Sequence, residues 1–397
     1  MTAMTHLEDL KVKGKTVFVR VDYNVPQDEA GNVRDDARIR ASLPTLNYLL
    51  QQGARLVLAS HLGRPQGFDP KASLKPVAEK LSELLGRKVI LSPEVVGEET
   101  TRLRKSLKDG DILLLENVRF HPGETKNDPA LSRQLAEGID IFVNDAFGSS
   151  HRAHSSVVGI ASFVTECAPG YLLKKEVDYL SRALHNPAKP YVAILGGAKV
   201  SDKIGIIDNL LDKTDDILIG GAMAYTFFKA QGQGVGRSLV EDDKLDLARG
   251  ILAKARQKRV NFILPLDHVL AAAVDAPEAA RVVEAFPLPD DLMAVDIGPK
   301  TIDRYSKVIA QAKTILWNGP MGVFEQKPFS AGTMKIAEAV AASGAVSIVG
   351  GGDSASAVKK AGVKDKITHI STGGGASLEF LVDETLPGLE ALGWKKK

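Results

Sequence analysis

The stretch AVSIVGGGDSASA (345–357) decides the fold. Its first five residues are almost wholly apolar, the make-up of a short strand buried on both faces. Three glycines follow at once, and a small-residue segment comes after them. Glycine lets a backbone approach a ligand closely, and the N–H groups and dipole of a helix N-terminus face an anion. Strand, glycine turn and helix start together read as one phosphate-binding unit of an α/β sheet.

Working outward, the same pattern recurs. Apolar, β-branched runs predict strands over 314–318 (TILWN), 190–195 (PYVAIL), 216–220 (DILIG), 260–265 (VNFILP) and 367–372 (ITHIST). Earlier in the chain they predict strands over 15–22 (KTVFVRVD), 55–60 (RLVLAS), 112–116 (ILLLE) and 139–145 (IDIFVND). Helical patterns separate them, so the expected class is α/β, with two Rossmann-like three-layer domains and mostly parallel sheets. The domains are expected over 1–170 and 186–377. A hinge helix over 171–185, bracketed by Pro169 and Pro187, joins them. Nearly every strand runs into glycine or polar residues, and in open parallel sheets ligands collect at the carboxyl ends of strands.

Composition narrows the class of function. A chain of 397 residues corresponds to two or three domains at roughly 100–200 residues each. Lys+Arg number 51 and Asp+Glu 49. That balance argues against a nucleic-acid or membrane-surface binder. The single cysteine, Cys167, excludes a disulfide framework and any zinc site built from several thiolates. It fits a reducing, cytoplasmic compartment. No apolar run approaches the ~20 residues of a membrane helix. The terminal Lys395, Lys396 and Lys397 read as a solvated end.

In the second half, four glycine clusters stand just after expected strands: Gly196-Gly197, Gly220-Gly221, Gly350–Gly352 and Gly373–Gly375. Repetition points to a polyphosphate ligand. No Walker A loop is present. Gly350-x-Gly352-x-x-Ala355 fits the dinucleotide pattern, but Thr372 and Gly373 stand where a ribose-binding acid belongs. Asp353 suits either a helix N-cap or a Mg²⁺ held jointly with nucleotide phosphates. Lys199 and Lys203, at i and i+4, are expected on one face of a helix, either clamping phosphate or solvated. Glu325 is placed to accept hydrogen bonds from a ribose.

In the first half, Arg38, Arg64, Arg119 and Arg152, with His61 and His154, lie beyond expected strands or in nearby loops. Arginine forks match phosphate and carboxylate. Several on one pocket would bind a small, multiply charged anion. Asp22 and Asn24 could hydrogen-bond a hydroxyl. His151-x-x-His154 lacks a third metal ligand, Cys167 has no catalytic signature around it, and no G-x-S-x-G elbow appears.

Taken together, these segments resemble the phosphoglycerate kinase family nearly end to end. The matching stretches are RVDYNVP (20–26), DARIRASLPT (36–45), SHLGRP (60–65), ENVRFHPGE (116–124) and NDAFGSSHRAHSS (144–156) in the first half. In the second they are LGGAKVSDKI (195–204), GGAMAYTFFKAQG (220–232), DIGPKT (296–301), WNGPMGVFE (317–325), GGGDSASA (350–357) and STGGGASLEF (371–380). The resemblance implies transfer of the acyl phosphate of 1,3-bisphosphoglycerate to ADP, giving 3-phosphoglycerate and ATP. It implies that Asp22, Asn24, Arg38, His61, Leu62, Gly63, Arg64, Arg119 and Arg152 bind the phosphoglycerate. It places Lys203, Gly221, Gly298, Asn318, Glu325, Gly351, Gly352, Asp353 and Ser354 around the nucleotide, with Asp353 on Mg²⁺. It gives Arg38, Lys199 and Gly374 to the transfer, with Gly373, Gly374 and Gly375 donating amides to the moving phosphoryl group. It implies a monomer that closes about its hinge, and a tail, 378–397, folded back onto the first domain. Ser149-Ser150, Leu266, Ser354 and segment 164–171 depart from the family pattern without removing a charged or glycine site residue.

The alternatives are distinct. A dehydrogenase lacks its ribose acid. A binding module leaves Lys199, Asp353 and Arg38 together unexplained. Another acyl-phosphate kinase has no need of so many arginines.

Overall fold

The computed structural model describes residues 4–276 and 280–395. The chain divides into two compact units, Met1–Asp178 with Asp383–Lys397, and Tyr179–Val382. The division falls inside the helix Tyr171–His185, not at either of its ends. Lys396 and Lys397 of the tail lie outside the described residues.

The first unit is built on a six-stranded, all-parallel sheet. Its strands are β1 (Thr16–Arg20), β2 (Arg55–Ala59), β3 (Val89–Leu91), β4 (Ile112–Leu114), β5 (Ile141–Asn144) and β6 (Glu166–Pro169), in the order β3-β4-β2-β1-β5-β6. Every residue of β1 is buried, which is why its sequence reads as a continuous run without alternation. Strand order reverses beside β1, because β2 leads to one side and β5 to the other. The loops after β1, β2, β4 and β5 all leave the carboxyl edge near that switch.

The second unit repeats the plan. Its strands β7 (Tyr191–Leu195), β8 (Asp216–Ile219), β9 (Asn261–Ile263), β13 (Thr314–Asn318), β14 (Val346–Gly350) and β15 (His369–Ile370) form a parallel sheet in the order β15-β14-β13-β7-β8-β9. Here the switch lies between β7 and β13. A second, antiparallel sheet of β10 (His268–Ala271), β11 (Arg281–Val283) and β12 (Met293–Ile297) has the order β11-β10-β12.

Five of these strands are absent from the sequence expectation, each for a physical reason. β3 has only three residues. β6 carries a proline, which an edge strand tolerates and a central one does not. β11 is three mostly exposed residues, and in β10 and β12 the buried His268 and Asp296 interrupt the apolar run.

The tail packs within the first unit. Leu386, Leu389 and Leu392 are buried, and the Gly388 N–H donates to the Ser150 carbonyl at 2.8 Å. A side chain at Gly388 would meet Ser150 at about 3 Å, so glycine is what permits the docking.

The start of helix Tyr171–His185 is held by Asp145, whose Oδ1 accepts from the Leu172 and Leu173 N–H groups. Burial pushes the Asp145 carboxyl up to about 6, against the opposing pull of those hydrogen bonds. A carboxyl raised by folding favours the native state fully below its unfolded value, about 3.9, and that advantage is lost as pH rises through about 6. Asp145→Asn keeps the cap acceptor and removes the charge. We expect urea midpoints of variant and wild type to coincide near pH 4. By pH 7.5 the variant should be the more stable, by up to about 3 kcal/mol. A constant difference across that range would show that Asp145 is not the titrating group.

Candidate active site

At the carboxyl edge of the first sheet, three arginines converge. Arg64, Arg119 and Arg152 line one cavity of about 590 Å³, together with His121 and Thr125, and no carboxylate lines it. The loops that carry them are braced against one another. The Gly63 N–H donates to Asn24 Oδ1 at 2.9 Å, and Arg119 Nη1 donates to the Gly63 carbonyl. Asn117 Nδ2 holds the Leu62 carbonyl at 2.7 Å, while the Leu62 side chain sits in the core. Leu62 therefore shapes the loop rather than presenting a side chain to the cavity. Arg119 Nε is buried and has no hydrogen-bond partner among the described residues. Burial lowers the Arg119 pKa, and the neighbouring Arg152 and Arg20 lower it further.

Beneath this pocket is a charged layer that sequence reasoning missed. Arg20, in the last position of β1, is buried. Its Nε donates to Ser156 Oγ at 2.8 Å, and its Nη2 lies 3.1 Å from His61 Nδ1. Arginine can only donate, so His61 Nδ1 accepts and the ring proton resides on Nε2. Burial holds the His61 pKa well below its ordinary value, which keeps the ring neutral. Glu124, fully buried, accepts from Ser156 N–H and Oγ and sits in the field of Arg20. The available signal was an arginine inside the otherwise apolar run of β1.

Asp22 pairs with Arg38 Nη1 at 2.8 Å. Burial alone would raise the Asp22 pKa, but Arg38 and Arg20, with the Asn24 N–H bond, outweigh it and hold the carboxyl below its usual range. Arg38 stands in the first turn of helix Ala37–Gln51 and is partly exposed.

At the carboxyl edge of the second sheet is a slot of about 230 Å³. Its walls come from Gly197, Gly221, Tyr225, Val295, Met321 and Val323, with Glu325 and Asp353 among the polar lining. Its floor is backbone. A Cβ on Gly221 would lie 2.5 Å from the Gly197 backbone, and one on Gly319 would lie 2.2 Å from the Gly196 carbonyl oxygen. Asp296 also lines the slot, and burial pushes its carboxyl up to about 7 even though Gly332 and Ile297 donate to it.

Several expected residues take up different roles in detail. Lys199 and Lys203 do not share a helix face. The helix starts only at Ile204, because the Ser201 N–H and hydroxyl are bonded to the Glu241 carboxylate and segment 200–203 forms a turn. Lys199 is exposed, whereas Lys203 is buried and donates to Asn318 Oδ1. Burial lowers the Lys203 pKa, with Asp202 and Asp353 opposing. Among the described residues Asn318 Nδ2 is buried without a partner, and Gly350 and Gly351 lie beside it.

Asp353 is not an N-cap. Gly351 occupies that position with φ +91°, and Asp353 stands exposed in the first turn of helix Gly352–Lys360. Ser354 is buried and its hydroxyl accepts from the Gly319 N–H at 2.7 Å. Gly298 N-caps helix Pro299–Gln311, facing Asp267, and the slot lining reaches only its neighbour Ile297. The Gly373 N–H is taken by Ser371 Oγ at 3.1 Å, whereas helix Gly375–Asp383 begins at Gly375 with Gly374 at φ +53°. Among the described residues no three His, Cys, Asp or Glu side chains are grouped to hold a metal. One exposed carboxylate at a helix start does fit a Mg²⁺ that takes its other ligands from phosphates and water.

A pocket lined by three arginines on one α/β unit and a glycine-floored slot with an exposed carboxylate on another suit a phosphotransferase. The family model described as phosphoglycerate kinase matches residues 7–384. A phosphoglycerate kinase of Anaeromyxobacter dehalogenans is 57% identical over 392 residues, covering 98% of this chain and 99% of the relative. One of Koribacter versatilis is 58% identical over 395 residues, covering 97% and 98%. The solved structure of phosphoglycerate kinase from Coxiella burnetii superposes with a TM-score of 0.89 at 42% identity, covering 98% and 99%. The chain belongs to the phosphoglycerate kinase family.

The Lys203–Asn318 bond gives a direct test of the slot's construction. Asn318→Ala leaves a buried ammonium without its acceptor and should cost about 2–3 kcal/mol in urea unfolding. Lys203→Met in that background should recover most of the loss. Additive costs in this cycle would mean the two side chains do not interact.

Proposed function

We propose that this chain transfers the acyl phosphate of 1,3-bisphosphoglycerate to ADP, reversibly, giving 3-phosphoglycerate and ATP, as a step of glycolysis. The observation that carries this reading is the convergence of Arg64, Arg119 and Arg152 on one cavity without a lining carboxylate, in a chain of this family. A substrate with a fixed second phosphate needs such a pocket. A small acid without one does not, so another acyl-phosphate kinase is the weaker reading.

In this reading the three arginines hold the non-transferring phosphate. Asp22 and Asn24 receive the substrate hydroxyl, with the neutral His61 as a donor through Nε2. The apolar walls of the slot take the base, and Glu325 takes the ribose. Asp353 would hold Mg²⁺, which would supply positive charge to offset that of the nucleotide phosphates. A β-phosphate oxygen of ADP attacks the acyl phosphorus in line, the bond to the carboxylate oxygen breaks, and 3-phosphoglycerate leaves.

Little covalent work falls to the protein. Positioning and neutralisation of the equatorial oxygens are what it supplies. Arg38, Lys199 and the amides of Gly374 and Gly375 are assigned to that charge. Gly373 joins them only if Ser371 releases its N–H. Arg38 is already oriented by Asp22, which limits the entropy lost on engaging the phosphoryl group. The two ligands belong to different units, so transfer requires a closed state that brings them to bonding distance and excludes water. The reading includes a cytoplasmic monomer.

The test is a coupled assay of ATP formation from ADP and 1,3-bisphosphoglycerate with Mg²⁺. Wild type should be active. Arg38→Ala should lose roughly 10³-fold in kcat, by analogy with arginines that stabilise transferring phosphoryl groups, with little change in 3-phosphoglycerate affinity. Weakened affinity with turnover intact would remove Arg38 from the transfer step.

A further inference from the structure

Glu241 is a carboxylate of the second unit with no part in the site as described so far. It stands immediately before the short helix Asp242–Lys244, where an acidic side chain ordinarily caps its own helix, and it makes no such bond. The acids that follow it pair locally, Asp242 with Lys229 and Asp243 with Lys244, each at 2.7 Å. Glu241 instead reaches a turn 40 positions earlier in the chain. Its Oε2 accepts from the Ser201 N–H at 3.0 Å and its Oε1 from the Ser201 hydroxyl at 2.5 Å. Burial alone would raise the Glu241 pKa, but the Ser201 hydroxyl and N–H, with the Val200 N–H, outweigh it and hold the carboxyl below its usual range.

Ser201 lies between two lysines. Lys199 is exposed, whereas Lys203 is buried with its ammonium on Asn318 Oδ1. The intervening turn is closed by the Lys203 N–H, which donates to the Val200 carbonyl at 2.8 Å. Glu241 therefore grips the short stretch whose geometry sets the direction of both lysines. The carboxylates that act on the Lys203 charge are Asp202 and Asp353, so the influence of Glu241 passes through the turn. On its other side, the Glu241 N–H donates to Thr226 Oγ1 at 3.1 Å. Thr226 is buried in helix Met223–Ala230, next to Tyr225, which lines the slot. The main chain of Glu241 is fixed to the slot wall while its side chain fixes the lysine turn.

We propose that Glu241 is a positioning residue for a nucleoside diphosphate: anchored on the slot wall, it holds the Ser201 turn so that Lys199 and Lys203 are set for the phosphates before the ligand arrives. This rests on the reading of the slot as the nucleotide site. The clamp has a sign that charge alone does not share. A carboxylate near bound phosphates repels them, so removing its charge alone would tighten binding. Losing the clamp loosens binding, because ordering the turn then has to be done when the ligand binds.

The experiment is titration of full-length wild type, Glu241→Ala, Glu241→Gln and Ser201→Ala with Mg-ADP, and with adenosine as the probe that lacks phosphates. Glu241→Ala should weaken Mg-ADP binding about tenfold, the scale of one hydrogen bond to a charged group. Adenosine affinity should stay at the wild-type level, because the bond to Thr226 is made by the backbone and survives the substitution. Glu241→Gln can accept from the Ser201 N–H and donate to the hydroxyl oxygen, so it should retain Mg-ADP affinity. Ser201→Ala deletes one hydrogen bond at a partly exposed position. It should shift Mg-ADP affinity in the same direction by less, and it keeps the test open should the alanine at 241 misfold. Mg-ADP affinity unchanged or tightened in both Glu241→Ala and Ser201→Ala would overturn the proposal. So would a Glu241→Gln as weak as Glu241→Ala, or an equal loss for adenosine, which would mean a damaged slot wall rather than misplaced lysines. A wild type that binds no Mg-ADP would overturn the reading of the slot itself, a result distinct from all of these.

Discussion

The slot at the carboxyl edge of the second sheet depends on contact between bare backbones. Gly221 lies against Gly197, and Gly319 lies against Gly196, at separations that leave no space for a Cβ. The loops after β7, β8 and β13 can therefore meet in one floor. Three of these glycines also adopt positive φ, Gly197 at +109°, Gly221 at +68° and Gly319 at +96°, and at Gly221 and Gly319 both volume and conformation demand the residue. Ser354 ties the next loop into the same floor through the Gly319 N–H. Asn318, placed by β13, can then reach Lys203 through Oδ1. The apolar walls, the lysine and the exposed Asp353 are arranged around that contact.

The first unit solves the converse problem. There the crowded groups are charges. Three arginines can share one pocket because the layer below them is fixed and compensated. Arg20 is held by Ser156 and the Val21 carbonyl, Glu124 sits in its field, and His61 is kept neutral by burial. A protonated His61 would add a fourth positive charge against Arg20. The depressed pKa therefore serves the pocket by leaving an orienting donor and no extra repulsion. Backbone closeness builds one half-site and buried charge compensation builds the other.

Much of this was legible in the chain, and what was not has physical causes. Strands buried on both faces announce themselves as apolar runs, so β1, β7 and β13 were readable. Their carboxyl ends carry the glycines and arginines that matter. The small antiparallel sheet was invisible because β11 is short and exposed, and because buried polar residues, His268 and Asp296, interrupt the apolar runs of β10 and β12. Lys203 was expected on a helix face with Lys199, but the Ser201–Glu241 bonds join residues 40 positions apart and delay the helix start. Arg20 and Glu124 were missed because a charge inside a strand, or before a loop, has no local signature of being buried. The fold and the residue types of the site are local in sequence, whereas pairing and burial are not.

The central claim is that glycine backbone contact, independently of the arginine pocket, creates the nucleotide site. It is tested most directly with Gly221→Ala, by calorimetric titration of the folded variant with Mg-ADP and with 3-phosphoglycerate. The added methyl, forced against Gly197 in a left-handed backbone, should abolish or severely weaken nucleotide binding and leave 3-phosphoglycerate binding at the wild-type level. Unchanged Mg-ADP affinity in that variant would contradict it.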